Sequence, residues 1–338
     1  MKRKILPILL ALALLLSACN LLPDAGAKPR AVSESSIWAM DTQMDLRLYG
    51  DEDGACMQRL TALLNELDHT LSATAADSDL TALNQSGWTD NAHILRLAEE
   101  ALAVSEQTGG ALDVTLLPVS RAWGFSTGSY GVVPAAELEA LRDNVGMDKL
   151  TLRPGQGLSI PAGTALDFGA LAKGYAADLC RAELEQAGCA GILSLGGNIQ
   201  TVGTKPDGSD WVIGVQDPDD VGRYVLTLGL TGSKAAVTSG DYQRFFMADG
   251  VRYCHILDPG TLAPVRGSLR AVTVIADSGL RADALSTALF VLGREAGESL
   301  RRSRGDFETV WIEDDGTVWV SPGLAERVLE GSYEVIRP

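Results

Sequence analysis

"ALDFGALAKGYAADL", residues 165–179, runs from an apolar stretch through a bend of small residues into a helical pattern. Asp167 stands before the bend and Lys173 after it, with Gly169 and Ala170 between them. Small residues let a backbone approach a ligand closely, a helix start attracts an anion, and Lys173 adds a positive charge. The order is not that of a Walker loop, and no GxGxxG joins a strand to a helix in this chain. A plain strand-to-helix connection fits the stretch equally well.

Working outward, residues 165–168 read as a strand and 171–186 as a helix stopped by Gly188. Residues 191–195 read as a second strand running into Gly196-Gly197-Asn198. Upstream, residues 40–49 alternate Met44, Leu46 and Leu48 with polar neighbours, which predicts a half-buried strand. Leu60, Leu63, Leu64, Leu67 and Leu71 fall at helical spacing within 57–71, and a second helix over 92–108 stops at Gly109-Gly110. Residues 124–146, Gly-rich and then acidic with a helical pattern, read as an excursion from the core. Downstream, strands are expected at 211–216, 224–230, 235–238, 251–256 and 271–276, then an apolar helix over 280–292 and short strands near 309–312 and 318–320. The interleaving is α+β, with mixed β-sheets covered by helices.

The N-terminus carries Lys2, Arg3 and Lys4, an apolar run too short to span a bilayer, and then Leu16-Ser17-Ala18-Cys19. That is a signal peptide over 1–18 ending in a bacterial lipobox. Cys19 would carry the lipid, palmitate included, followed by a tether over 19–36 and a domain over 37–335. The expected location is the extracytoplasmic face of the cell membrane, lipid-anchored. A net charge of −16 argues against nucleic acid and against charge-driven adhesion to anionic lipid. Cys56, Cys180, Cys189 and Cys254 form no CxxC pair, and three His leave no zinc-site spacing. Disulfides and buried thiols are both open for them.

Three stretches carry candidate chemistry. In "RADALSTALFVLG", Asp283 and Thr287 are four apart, so their oxygens share one face of an otherwise apolar helix. A hard cation such as Mg²⁺ takes side-chain oxygens, a backbone carbonyl, and waters or phosphate oxygens. The spacing alone also fits a carboxylate favoured by the helix dipole and a hydroxyl bonded to its own backbone. In "YCHILDPGT", His255 ends a strand beside strong turn chemistry, where it can act as an acid or base or as a structural residue. "GGALDVT" with Asp113, "SLGGN" and "TSGDYQRFF" read singly as ordinary loops.

Taken together, "MDTQMDLRLYG", "TGGALDVTLLPVSRAWGF", "LDFGALAKGYAADL", "LSLGGNIQTVG", "TSGDYQRFF", "HILDPGTLAPV" and "ADALSTALFVLG" resemble, in order, the ApbE family of FAD:protein FMN transferases. The resemblance runs over about 40–293. It implies a single large ApbE/T-fold-like domain with two intimately packed lobes. It implies binding of FAD as substrate and of Mg²⁺, scission of the pyrophosphate, release of AMP, and attachment of FMN through a phosphoester. The acceptor would be an exposed Thr or Ser of an extracytoplasmic redox partner. Matched position by position, Asp283 and Thr287 would give side-chain oxygens to Mg²⁺, and Ala170 its carbonyl. Met40, Ala111, Leu112, Asp113, Asp167, Lys173 and Leu257 fall where the family contacts the flavin nucleotide, and His255 where it places an acid or base. Thr74 stands where many relatives carry an aromatic residue, often Tyr, so a stacking partner for the flavin is missing. A metal-dependent FAD pyrophosphatase and a non-catalytic, lipid-anchored flavin-binding protein are the competing readings. Oligomeric state is open, with a homodimer as the candidate assembly.

Overall fold

The structure, a computed structural model, describes residues 31–220 and 222–336. The signal peptide, Cys19 and the first part of the tether lie outside the described residues.

A nine-stranded sheet organises the chain. Its order is Val32–Ala39, Thr42–Tyr49, Ala190–Leu195, Asn198–Val202, Lys234–Gly240, Leu269–Ala276, Phe307–Glu313, Val318–Val320 and Glu334–Val335. Every neighbouring pair is antiparallel except the last, which is parallel, so the sheet is mixed. Alternation along the strands sends side chains to two cores. Met44, Leu46, Leu193, Val237, Val272 and Val274 join a core on one face, under helices Ala55–Leu71, Ala92–Gln107, Ala172–Gln186 and Gly279–Leu292. Ala236, Ala271, Ile275, Val310 and Ile312 point the other way, against Trp211, Ile213, Leu226 and Leu228 of a three-stranded sheet. A smaller lobe is built around Trp123, Tyr253, Leu257 and Leu262, where the Trp123, Tyr253 and Phe246 rings stack. The α+β reading of the sequence is thus the architecture found.

Several local expectations change. Residues 32–36, assigned above to the tether, form most of the first strand, which pairs with Thr42–Tyr49. Its outer position leaves most side chains at least partly in solvent, so Ser and Glu are tolerated and the apolar signal is faint. Residues 165–168 are not a strand: a single bridge links Ala165 to Leu116. The reason is that Asn84 takes a strand's place, its Oδ1 accepting from Leu166 N at 2.7 Å and its Nδ2 donating to Leu166 O at 3.0 Å. Asp167 N donates to Val114 O at 2.9 Å, tying the stretch to the segment containing Asp113. Helices Asp79–Ser86, Leu117–Trp123 and Arg294–Arg304 add to those expected.

Two helices position the site. The lysine helix, Ala172–Gln186, crosses the aspartate helix, Gly279–Leu292, at the closest approach two backbones allow. A Cβ on Gly174 would stand 2.1 Å from Gly279 O, and one on Gly279 would stand 2.6 Å from Gly174 O. Asp178 of the lysine helix then caps its neighbour, accepting from Gly279 N at 2.7 Å, Leu280 N at 3.0 Å and Ser278 Oγ at 2.6 Å. The carboxylate thus meets the positive end of the aspartate helix.

Candidate functional site

The aspartate helix is apolar almost throughout, yet Asp283 sits within it at 4% exposure. Asp178 already serves the helix start, so Asp283 has another task. Its Oδ2 accepts from Gly174 N at 2.8 Å. In a helix extended back through the bend, that N–H would go to the carbonyl of Ala170. Turned to Asp283 instead, it leaves the Ala170 oxygen without its helical donor. One amide therefore anchors one oxygen-bearing group and releases another.

Burial pushes the Asp283 carboxyl up from its ordinary range, while Lys173, the Gly174 N–H and the Asn198 side chain favour its charged form. Asn198, 3% exposed, lies close to the carboxylate, although its Nδ2 makes no hydrogen bond of normal geometry. Thr287, one turn along, has its Oγ1 3.4 Å from Ser239 Oγ. Asp283, Thr287 and Ala170 thus offer hard oxygen donors of three kinds. Among the described residues no group of three His, Cys, Asp or Glu side chains could hold a metal ion. A single buried carboxylate with neutral oxygens is the donor set of a Mg²⁺ that shares its shell with substrate phosphates. The residues present fit that ion: a buried carboxylate, a hydroxyl and a backbone carbonyl freed of its helical donor.

Lys173 lies in the first turn of the lysine helix, its Nζ 3.4 Å from Gly169 O. Its charge acts on Asp283 and also on His255. His255 follows strand Val251–Cys254, walled in on most sides while keeping some access to solvent. Burial first, then Arg244 and Lys173, pull its pKa down from 6.5 to about 4. Its backbone N donates to Arg244 O at 2.9 Å, and its Nδ1 lies 3.2 Å from the same oxygen. A carbonyl only accepts, so Nδ1 carries the proton and Nε2 keeps a free lone pair. The ring is a neutral base at physiological pH.

Two turns lie against each other and, through Arg244, beside His255. Met40 and Asp41, at φ 51° and 58°, form the two-residue turn between the first strands. Such left-handed non-glycine residues persist only where neighbours hold them; here Met40 N donates to Asp68 Oδ1 at 2.8 Å, and Arg244 pairs with Asp41 at 3.5 Å. Gly196, also at positive φ, packs against Thr42, so the turn of "SLGGN" abuts the same hairpin. Leu257, two residues past His255, is buried and pairs with Pro264. Asp167 Oδ1 accepts from Gly169 N at 2.8 Å and shapes the bend. Asp113 Oδ1 accepts from Thr115 N and Oγ1 at 2.8 and 2.6 Å, and burial raises its pKa. Ala111 and Leu112 beside it are buried. Thr74 is exposed in the loop after the first helix, its hydroxyl 3.3 Å from Ser72 Oγ. Asn198, Ser239 and Arg244 belong to the site although sequence reasoning left their stretches as loops. Asn198 and Ser239 each stand beside a Gly, Arg244 lacks even that signal, and only the family resemblance singled out their stretches.

A sequence model of the ApbE family matches residues 40–311. The chain belongs to the ApbE family. A FAD:protein FMN transferase of Vibrio cholerae is 34% identical over 301 residues, covering 85% of this chain and 87% of that protein. One from Treponema pallidum is 32% identical over 326 residues, covering 89% and 90%. Among solved structures, the ApbE protein of Thermotoga maritima superposes with a TM-score of 0.81 at 28% identity, covering 87% of this chain and 98% of that one. The flavin transferase ApbE of Vibrio cholerae gives 0.79 at 30% identity, covering 88% and 100%. As an ApbE member this chain is a transferase enzyme, and the resemblance drawn from seven stretches of sequence holds across the fold.

Proposed function

We propose that this chain is a Mg²⁺-dependent FAD:protein FMN transferase acting outside the cytoplasm, anchored to the membrane through Cys19. It cleaves the pyrophosphate of FAD, releases AMP, and joins FMN by a phosphoester to Thr or Ser of a redox partner protein. The carrying observation is that Asp283, 4% exposed on an apolar helix, accepts from Gly174 N at 2.8 Å, next in the chain to Lys173, whose charge favours the ionised carboxylate. When bound, Mg²⁺ would neutralise charge on the phosphates as the bond between them breaks. Asp283, Thr287 and the Ala170 carbonyl would hold it. The Lys173 ammonium neutralises phosphate charge from the bend, where small residues let the nucleotide approach. The acceptor hydroxyl must lose a proton, and Nε2 of His255 takes it. Met40, the Ala111–Asp113 segment, Asp167 and Leu257 contact the nucleotide. Thr74 supplies no ring for the flavin.

The test is incubation with FAD, Mg²⁺ and a candidate acceptor. Flavin that stays on the acceptor after denaturation supports transfer. Free FMN with no labelled acceptor makes the protein a pyrophosphatase, and intact FAD makes it a binding protein.

A further inference from the structure

Ser239, in strand Lys234–Gly240, touches two consecutive hydroxyls of the aspartate helix, with its Oγ 2.8 Å from Ser286 Oγ and 3.4 Å from Thr287 Oγ1. The direction of each bond follows from the last member. Ser286 Oγ lies 2.9 Å from the backbone carbonyl of Asp283, and a carbonyl can only accept, so Ser286 spends its one proton there. Ser286 must then accept from Ser239, which spends the Ser239 proton in turn. Ser239 is left as an acceptor toward Thr287. The order Thr287 to Ser239 to Ser286 to the Asp283 carbonyl turns the Thr287 proton toward Ser239 and leaves the Thr287 lone pairs unspent. A hydroxyl that ligates a cation needs this arrangement, with its proton held elsewhere and a lone pair free.

We propose that Ser239 is a positioning residue that draws the Thr287 proton toward the sheet and so presents the Thr287 lone pairs to the cation. The inference rests on Thr287 and Asp283 being cation ligands. It gives "TSGDYQRFF" a task that its reading as a loop did not. Ser286 is fully buried and Ser239 is 9% exposed, while Thr287 is half-buried at the open end of the chain.

The experiment is calorimetric titration of the flavin-free chain with Mg²⁺ alone. Ser239→Ala is expected to raise the Mg²⁺ Kd by roughly 10–100-fold, the usual cost of losing a partner behind a metal ligand. In a Thr287→Ala background the same change should add nothing, because Ser239 acts only through Thr287. Thr238→Ala is the control: its hydroxyl pairs with Thr273 at 2.8 Å on the strand's other face. That variant should lower stability and leave the Kd in place. If Ser239→Ala does not fold, Ser239→Cys, of similar volume and a poor acceptor, carries the test. An unchanged Kd, a loss that adds to that of Thr287→Ala, or an equal loss in Thr238→Ala overturns the positioning role. Mg²⁺ binding that survives Asp283→Ala instead overturns the cation site itself, and the role of Ser239 falls with it.

Discussion

Gly174 N donates to Asp283 Oδ2 at 2.8 Å, across a crossing where neither Gly174 nor Gly279 has room for a Cβ. Backbone packing and site geometry are here one contact. Gly174→Ala would drive its methyl into Gly279 O and Asp283 Cβ, at 2.1 and 2.6 Å. The helices must part, at a cost of about 3 kcal/mol. Chemical denaturation should show that loss, together with weaker Mg²⁺ binding.

Asp283→Asn keeps an oxygen for the Gly174 N–H and removes the charge. The melting temperature in EDTA should stay close to that of the parent, because a buried carboxyl with a raised pKa gains little from ionisation. Mg²⁺-dependent FAD cleavage should fall on the order of 100-fold. Full turnover in this variant would remove Asp283 from the reaction.

His255 carries a pH signature with a defined sign. Its folded pKa, about 4, is below the ordinary 6.5, so the unfolded chain takes the proton first as pH falls. The contribution to stability is fully present above about 6.5 and is lost as pH drops toward about 4. Denaturation midpoints at pH 7 and pH 4.5 should separate further in the parent than in His255→Gln. The same variant should slow transfer by about 100-fold or more while FAD binding changes less.

Lys173→Met should move the His255 pKa upward, because the ammonium is one of the charges that depress it. The Asp283 pKa should rise in the same variant, since Lys173 favours the ionised carboxylate. Titration of the His255 ring by NMR reads the first effect, and an unmoved pKa would show that Lys173 is not coupled to the base.

Asp178→Ala strips two N–H bonds and the Ser278 hydroxyl bond from the start of the aspartate helix. A loss of about 1–2 kcal/mol follows from cap and dipole together. Asp178→Asn should recover part of it, which thermal melts can measure.

The sequence announced what periodicity and local chemistry can announce. Leu60, Leu64 and Leu67 marked a helix, and Asp283 and Thr287 stood out because a polar pair is rare on an apolar helix. Hidden were partners brought from afar. Nothing in residues 165–168 says that Asn84, 82 positions from Leu166, will replace a neighbouring strand. Nothing in "SLGGN" or "TSGDYQRFF" says that Asn198 and Ser239 will meet residues of the aspartate helix. Thr74 was read from resemblance alone, and its contact with Ser72 gives it no part in the convergence around Lys173.

The lysine helix carries Lys173, Gly174 and Asp178 within six residues, and each reaches a different part of the site. A tilt of that helix therefore shifts the Lys173 charge, the carboxylate anchor and the neighbouring cap all at once. Attempts to redesign this enzyme for another nucleotide should leave that jig alone. Met40, in the hairpin turn, and Leu257, in a two-residue strand paired with Pro264, have separate supports, so on the proposed function each can be changed without disturbing the other.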